Sequence, residues 1–439
     1  MSFGSDSVQG KTLWTIGTYA ASLAIRLGTN VVLSRMLAPD ILGVMVVVHS
    51  VRYGVELLTD VGIEQNIIHN SRGATRPFLN TAWTLQIIRG GILSLVFLSM
   101  SPFLSNLFNI SRDIFMVISL APFINSLCST SVFLLVRSLN VRARNLFELG
   151  AESLAFLISV TFVYITPTIW APVLGVICAL IVRSALSYLL PHPAHRLTLD
   201  ARSTREILNF GKWIMVSSFT IYASTNIDKL YLGTSIPFQL LGIYGLARTI
   251  SDLPPILATR LSYQIVFPML AATEERGESV TGSLSATRWK FVLLASLSIG
   301  SAASWSDFAI KILYDARYHE AGWMLFGLLL AAWFAVISNL NEGTLLARGK
   351  PAYNSLSNTV RLLILAVGVP LSVANAGLVG CIAVIIASEL CRYVVVLYGQ
   401  SRFGLMYLRQ DTISTMLLIA TIAIWACLRS ALSLGQPWQ

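Results

Sequence analysis

The sequence predicts an all-α integral membrane protein of about thirteen spans, grouped as two six-helix lobes with one additional C-terminal helix. Three observations carry this prediction. Only 12% of the 439 residues are charged and 55% are hydrophobic, whereas a soluble domain carries about 25% charged residues; the mean hydropathy is +0.70. Apolar stretches of about 20 residues, the length that crosses a bilayer as a helix, recur along the whole chain. The basic residues between these stretches collect on alternate sides.

In chain order the predicted spans are 12–33, 41–63, 79–104, 113–136, 148–166, 169–190, 208–232, 239–266, 289–309, 321–346, 353–375, 377–399 and 412–430. The first run is too long for the apolar core of a secretion leader and precedes no small-residue cleavage site, so it is taken as a span. The second holds the stretch VVVHSVRYGVELLTDVG, Val46 to Gly62. Its His49, Arg52, Glu56 and Asp60 follow spacings of three and four, so on one continuous helix they share a face. In the eighth span, Pro254 and Pro255 remove two successive backbone donors, and a kink or local unwinding is expected there.

Loop charges orient the chain. With the N-terminus in the cytoplasm, the inner side receives sixteen loop arginines and lysines, from Lys11 and Arg72 through Arg402 and Arg409. The outer loops receive four: Arg35, Arg112, Lys311 and Arg317. This is the positive-inside asymmetry, and an odd number of spans then places the C-terminus outside. The formal net charge of +10 is accounted for by these loops, with no nucleic-acid partner implied.

Several chemical classes are excluded. The five cysteines (Cys128, Cys178, Cys381, Cys391, Cys427) lie in apolar stretches without metal-site spacing. The sequence has no phosphate-binding P-loop, no His/Glu metal-ligand cluster and no Ser-centred nucleophile elbow. No cofactor, no metal and no enzymatic reaction is expected. A chain made of helices and short loops is read as a transporter.

A weak internal repeat divides it. Thr29-Asn30 followed by Leu42-Gly43 is echoed by Thr225-Asn226 followed by Leu241-Gly242. Each Leu-Gly precedes an arginine with an acid four residues on: Arg52 with Glu56, and Arg248 with Asp252. With the Pro191–Asp200 break, this gives lobes 1–195 and 196–400 and an added segment 401–439. Repeated halves with a site between them are a common transporter plan.

The motifs resemble a known family. Phe210-Gly211, Asn226-Ile227-Asp228, Gly233, Leu241-Gly242-Ile243-Tyr244, Ala247, Leu253-Pro254 and Phe267-Pro268, with SRMLAPDILGVM, FLNTAWTLQIIRG and LLARGK, are similar to the polysaccharide transporter branch of the multidrug/oligosaccharidyl-lipid/polysaccharide (MOP) exporter superfamily, the Wzx-type flippases. The resemblance covers about residues 12–400. It implies two six-helix lobes around a central cavity, in the bacterial inner membrane. It implies movement of a polyprenyl-(pyro)phosphate-linked oligosaccharide from the cytoplasmic to the periplasmic leaflet, for exopolysaccharide or O-antigen synthesis. The lipid bilayer, and a glycan polymerase with chain-length machinery, are the partners that go with it. Members commonly have twelve or fourteen spans, so an apparent thirteenth departs from the pattern.

Charges within spans are costly unless they face a cavity or a partner. Arg26, Arg52, Arg89, Arg248 and Arg361 form a ladder at different depths, with Asn30 and Asn358 nearby. Guanidinium grips phosphate oxygens as a permanent fork, so these seven residues are the expected substrate contacts. Glu56, Asp60, Asp228, Asp252, Pro254 and Pro255 are the expected gating or coupling residues. The pairs Arg52/Glu56 and Arg248/Asp252 either neutralise each other or hold a substrate phosphate. Arg26 has no acid one turn away. Arg89 has Gln86 as its neighbour. Arg183 and Arg392 are expected to snorkel to headgroups. Two alternatives stand beside the flippase. One is a small-molecule or drug antiporter of the same fold, for which an acidic, aromatic cavity would be expected. The other is a membrane glycan polymerase or ligase, for which a sizeable outer loop would be expected.

Overall fold

The computed structural model describes residues 8–57, 60–138, 140–191, 195–262, 281–404 and 406–438. Among these no strand occurs, and helices follow one another with short turns. Pro193, in the expected break, and the Phe267-Pro268 motif lie outside the described residues. Two compact units divide the chain, Met1–Tyr222 and Ala223–Gln439.

The first unit contains α1 (Val8–Met36), α2 (Pro39–Leu57), α3 (Ile63–His69), α4 (Arg76–Phe108), α5 (Arg112–Ile118), α6 (Ala121–Ser126), α7 (Ser131–Arg137), α8 (Val141–Ile165) and α9 (Trp170–Ser187). It ends within α10 (Ala201–Ser235). α8 packs along both α1 and α9, and α4 packs on α5 and α6. α4 starts where Pro77 needs no amide partner and stops at Asn109, in the left-handed conformation with φ 52°. A small core of Ile63, Ile67, Phe78, Leu79, Ala82 and Ile207 joins α3, α4 and the start of α10.

The second unit continues with α11 (Phe238–Ser251), α12 (Leu253–Leu261), α13 (Thr281–Ser304), α14 (Ser306–Leu313), α15 (Ala321–Ala347), α16 (Pro351–Arg402) and α17 (Leu408–Ala431). α15 is its central helix and packs against α11, α12, α13, α14 and α16. α17 packs along α13 and is tied to the unit at both ends. Arg288 pairs with Asp411 near its start, with the two side chains only 1% and 2% exposed. Arg429 holds Asp307 at 2.7 Å near its end.

Among the described residues, α4, α8, α9, α15, α16 and α17 qualify by length and apolar character as membrane-spanning. Counting each of two bent helix pairs as one span raises the number among the described residues to eight. α16 runs for 52 residues but is interrupted at Gly377, with φ 57° and ψ −140°, where the sequence separates two spans. The helices that fall short are broken up by polar residues: Arg26, Thr29 and Asn30 in α1, Asp40, Arg52 and Glu56 in α2, and Asn226, Asp228 and Lys229 in α10.

Two spans expected to be continuous are bent, and the eighth breaks at the proline pair, where a kink is expected. Span 113–136 is divided into α5, α6 and α7, bent by 53°. Pro122 supplies no amide, and the Gln86 amide donates to the Ser126 and Cys128 carbonyls at 2.7 and 3.0 Å. Span 289–309 bends by 67° between α13 and α14, where Arg429 donates to the Ser304 carbonyl at 2.9 Å. Backbone can leave the helical path inside a membrane only where protein groups satisfy it, and both breaks meet that condition. The helix ending at Ser251 restarts at Leu253, directly ahead of Pro254 and Pro255.

Candidate functional site

In the first unit the candidate residues gather on and around α2. One face of this helix, with Gly43, Val47, Val51 and Gly54, is buried. The other carries exposed His49 and Tyr53, with partly buried Arg52 and Glu56. Arg52 donates to Glu56 at 2.7 Å, and its Nε is buried without a hydrogen-bond partner. Arg89 on α4 donates to the backbone carbonyl of Glu56, so two guanidinium groups converge on one residue. The Asn125 amide lies 3.5 Å from the other Glu56 carboxylate oxygen. Gln86, expected beside Arg89, instead serves the broken helix described above.

The stripe is shorter than the sequence suggests. α2 ends at Leu57, and Asp60 lies in the turn ahead of α3, where its carboxylate accepts from the Gly62 amide at 3.0 Å. Asp60 therefore leaves the helical face shared by His49, Arg52 and Glu56, because an Asp two residues before a left-handed glycine closes a turn.

Arg26 on α1 is exposed, its side chain at 64%, yet it is paired: Glu152 on α8 accepts from it at 2.5 and 3.0 Å. Ser22 donates to the same carboxylate. The absence of an acid one turn away on α1 is thus made good from 126 residues further along the chain. Asn30 is half-buried one turn beyond. Arg183, expected to snorkel, pairs with Glu148 at 2.9 Å.

The second unit holds a buried ionic network. Arg248 lies 3.3 Å from Asp252 and 3.9 Å from Asp228, and Tyr244 donates to Asp228 at 2.5 Å. Arg361 lies 2.9 Å from Glu389. Arg392 is 6% exposed, not at a headgroup. It meets Glu342 at 2.9 Å, Glu389 at 3.3 Å and the Asn339 side-chain oxygen at 2.7 Å. Buried carboxylates on α15 and α16 hold it, which overturns the snorkelling expectation. The Asn339 amide reaches the Pro255 carbonyl at 3.1 Å, linking the network to α12, which starts at Leu253. Asn358 turns back to the Asn354 carbonyl on its own helix, at 2.8 Å.

The sequence reading missed Glu152, Asn125 and Tyr53. Glu152 carried a usable sign, since an acid inside the apolar stretch 148–166 calls for a partner. No group of three or more His, Cys, Asp or Glu side chains able to hold a metal ion occurs among the described residues.

Bilayer-length helices with arginine–carboxylate pairs among them define a multi-pass membrane fold. Solved structures share it. A lipid II flippase, MurJ, in an inward closed conformation matches with TM-score 0.74 and 11% identity, over 96% of this chain and 99% of that one. An inward-facing multidrug resistance transporter of the MATE family, in the MOP superfamily, matches with TM-score 0.67 and 14% identity, over 89% and 98%.

Within that class, the chain belongs to the polysaccharide biosynthesis protein family, whose family model matches residues 32–322. Relatives include the teichuronic acid biosynthesis protein TuaB of Bacillus subtilis (strain 168), 24% identical over 67% of this chain and 62% of that protein. The lipopolysaccharide biosynthesis protein WzxC of Escherichia coli (strain K12) is 22% identical over 64% and 57%. The chain thus spans about three-fifths of the length of these curated relatives.

Proposed function

We propose that this protein is a flippase. It moves oligosaccharide units linked to a polyprenyl phosphate or pyrophosphate from the cytoplasmic to the periplasmic leaflet, by alternating access. The family assignment supports a role in polysaccharide synthesis. The relatives are named for teichuronic acid and lipopolysaccharide biosynthesis, and a structural neighbour is titled a lipid II flippase. The reading assigns no bond-making step to the chain. In it, the lobes are 1–195 and 196–400, segment 401–439 adds a thirteenth span, and a glycan polymerase acts downstream.

The observation that carries the reading is the arrangement of Arg52, Glu56 and Arg89 on the open side of α2. Charged groups on a face not packed within the protein cannot sit in hydrocarbon without a large cost, so that face meets water and a polar cargo. The Glu56 carboxylate occupies the kind of position that a phosphate oxygen takes on a guanidinium fork. An incoming phosphate can exchange with it, and the carboxylate returns when the phosphate leaves. Arg26, held by Glu152, repeats the device on α1. Asp228 and Asp252 hold Arg248 in the second unit.

The test is export of the surface glycan in a strain carrying Arg52→Ala, Arg52→Lys or Arg248→Ala, with protein level followed by immunoblot. Loss of one charge-assisted contact predicts about a ten-fold fall in export for each alanine variant, and a smaller fall for Arg52→Lys, which keeps charge but not the fork. Full export in both alanine variants would overturn the arginine relay. Changed drug susceptibility with unchanged glycan export would favour the antiporter instead.

A further inference from the structure

We propose that Tyr53 is a sugar platform: its ring face seats a pyranose ring of the carried glycan beside the Arg52–Glu56 pair. This inference rests on the flippase reading and deepens it. Tyr53 is 46% exposed, yet its ring is positioned. Its centroid lies 6.1 Å from that of Tyr222 in an edge-on arrangement, 62° between planes. Tyr222 is buried and donates its hydroxyl to the Ser50 carbonyl at 2.8 Å. Tyr222 fits there because residue 54 is glycine: a Cβ at that position would lie 2.4 Å from the Tyr222 ring. One turn of α2, Ser50 to Gly54, together with one tyrosine of α10, thus sets an aromatic ring in place and leaves a side of it open.

The neighbours of that ring fit a carbohydrate. On α2, His49, Arg52, Tyr53 and Glu56 fall within an arc of about 100°. A pyranose presents an apolar C–H face and a rim of hydroxyls. The aromatic face takes the first. The Glu56 carboxylate accepts from hydroxyls, and the Asn125 amide near it donates. A lipid tail needs none of these polar groups, and a bare phosphate needs no aromatic face. A sugar joined to a phosphate uses both halves of the arc.

The test uses the full chain in proteoliposomes. The probe is the lipid-linked glycan extracted from a strain lacking this gene, and transport is read as oxidation of its sugars by periodate added outside. Tyr53→Phe and Tyr53→Trp keep an aromatic face and should remain within about two-fold of the native rate. Tyr53→Ala and Tyr53→Leu should fall about ten-fold, the scale of one aromatic contact. Tyr53→Leu keeps apolar bulk and so guards against a simple packing loss. Native rates in Tyr53→Ala and Tyr53→Leu would overturn the platform and leave the flippase reading standing. Equal loss in all four variants would mean the residue serves packing, and would also overturn it. A native protein that moves no glycan lipid would sink the flippase reading itself.

Discussion

A guanidinium in a bilayer-length helix needs partners, and the two units supply them differently. In the first unit the Arg26 side chain is 64% exposed and the Arg52 side chain 18%, each with one carboxylate. In the second, Arg361 and Arg392 share Glu389 between them and are almost wholly enclosed. Removing one member of such an enclosed set strands the opposite charges, which costs about 3–5 kcal/mol. Arg392→Ala should therefore lower the melting temperature of the detergent-solubilised protein more than Arg52→Ala, whose single carboxylate partner is less enclosed. Just inside the start of α10, Glu206 accepts from the Asn70 amide and from Arg72, each at 2.9 Å, and these contacts hold its carboxyl below the usual range. A lowered folded value contributes stability that is complete above the unfolded pKa, about 4.3, and is lost as pH falls through the folded one. The native protein should accordingly melt above Glu206→Gln at about pH 6, and the gap should close toward about pH 3.

The interrupted helices share a rule: each break is met by a side chain from another helix. Gln86 serves the break after α6, Arg429 serves the one after α13, and Asn339 reaches the first turn of α12, which carries the double proline. The break in α16 is different, because it rests on backbone alone. Gly377 combines φ 57° with ψ −140°, a region that is essentially closed to residues with a Cβ. No atom would obstruct a Cβ there, so Gly377→Ala tests conformation without a clash. It should destabilise by about 1–3 kcal/mol, seen as a lower melting temperature with the fold retained.

At the scale of the molecule, α17 belongs to the second unit through pairs at both of its ends, Arg288–Asp411 and Arg429–Asp307. As a bilayer-length helix held this way, α17 packs against its unit and is not a loose appendage. With the proposed thirteen crossings, loop charge predicts opposite sides for the two termini. Alkaline phosphatase fused after Gln439 should be active in a bacterial host, and green fluorescent protein at the same position should be dark. The opposite pair of results would mean an even number of crossings.

By itself the sequence determined that the chain is built of apolar helices and which residues would be costly in lipid. Those properties depend on local composition: apolar runs of bilayer length, prolines lacking a donor, and a charged stripe at helical spacing within one stretch. Arg52 and Glu56 were legible as a pair because four residues bring side chains together on a helix. Tertiary structure alone decided what each remaining charge meets. Arg26 finds Glu152 from 126 residues away, and Arg392 finds Glu342 and Asn339 on α15, since contacts between helices follow from packing and not from spacing along one chain. The end of the α2 stripe was also decided there. Asp60 falls outside it because a turn at Gly62, which no hydrophobic pattern reports, closes the helix before the stripe is complete.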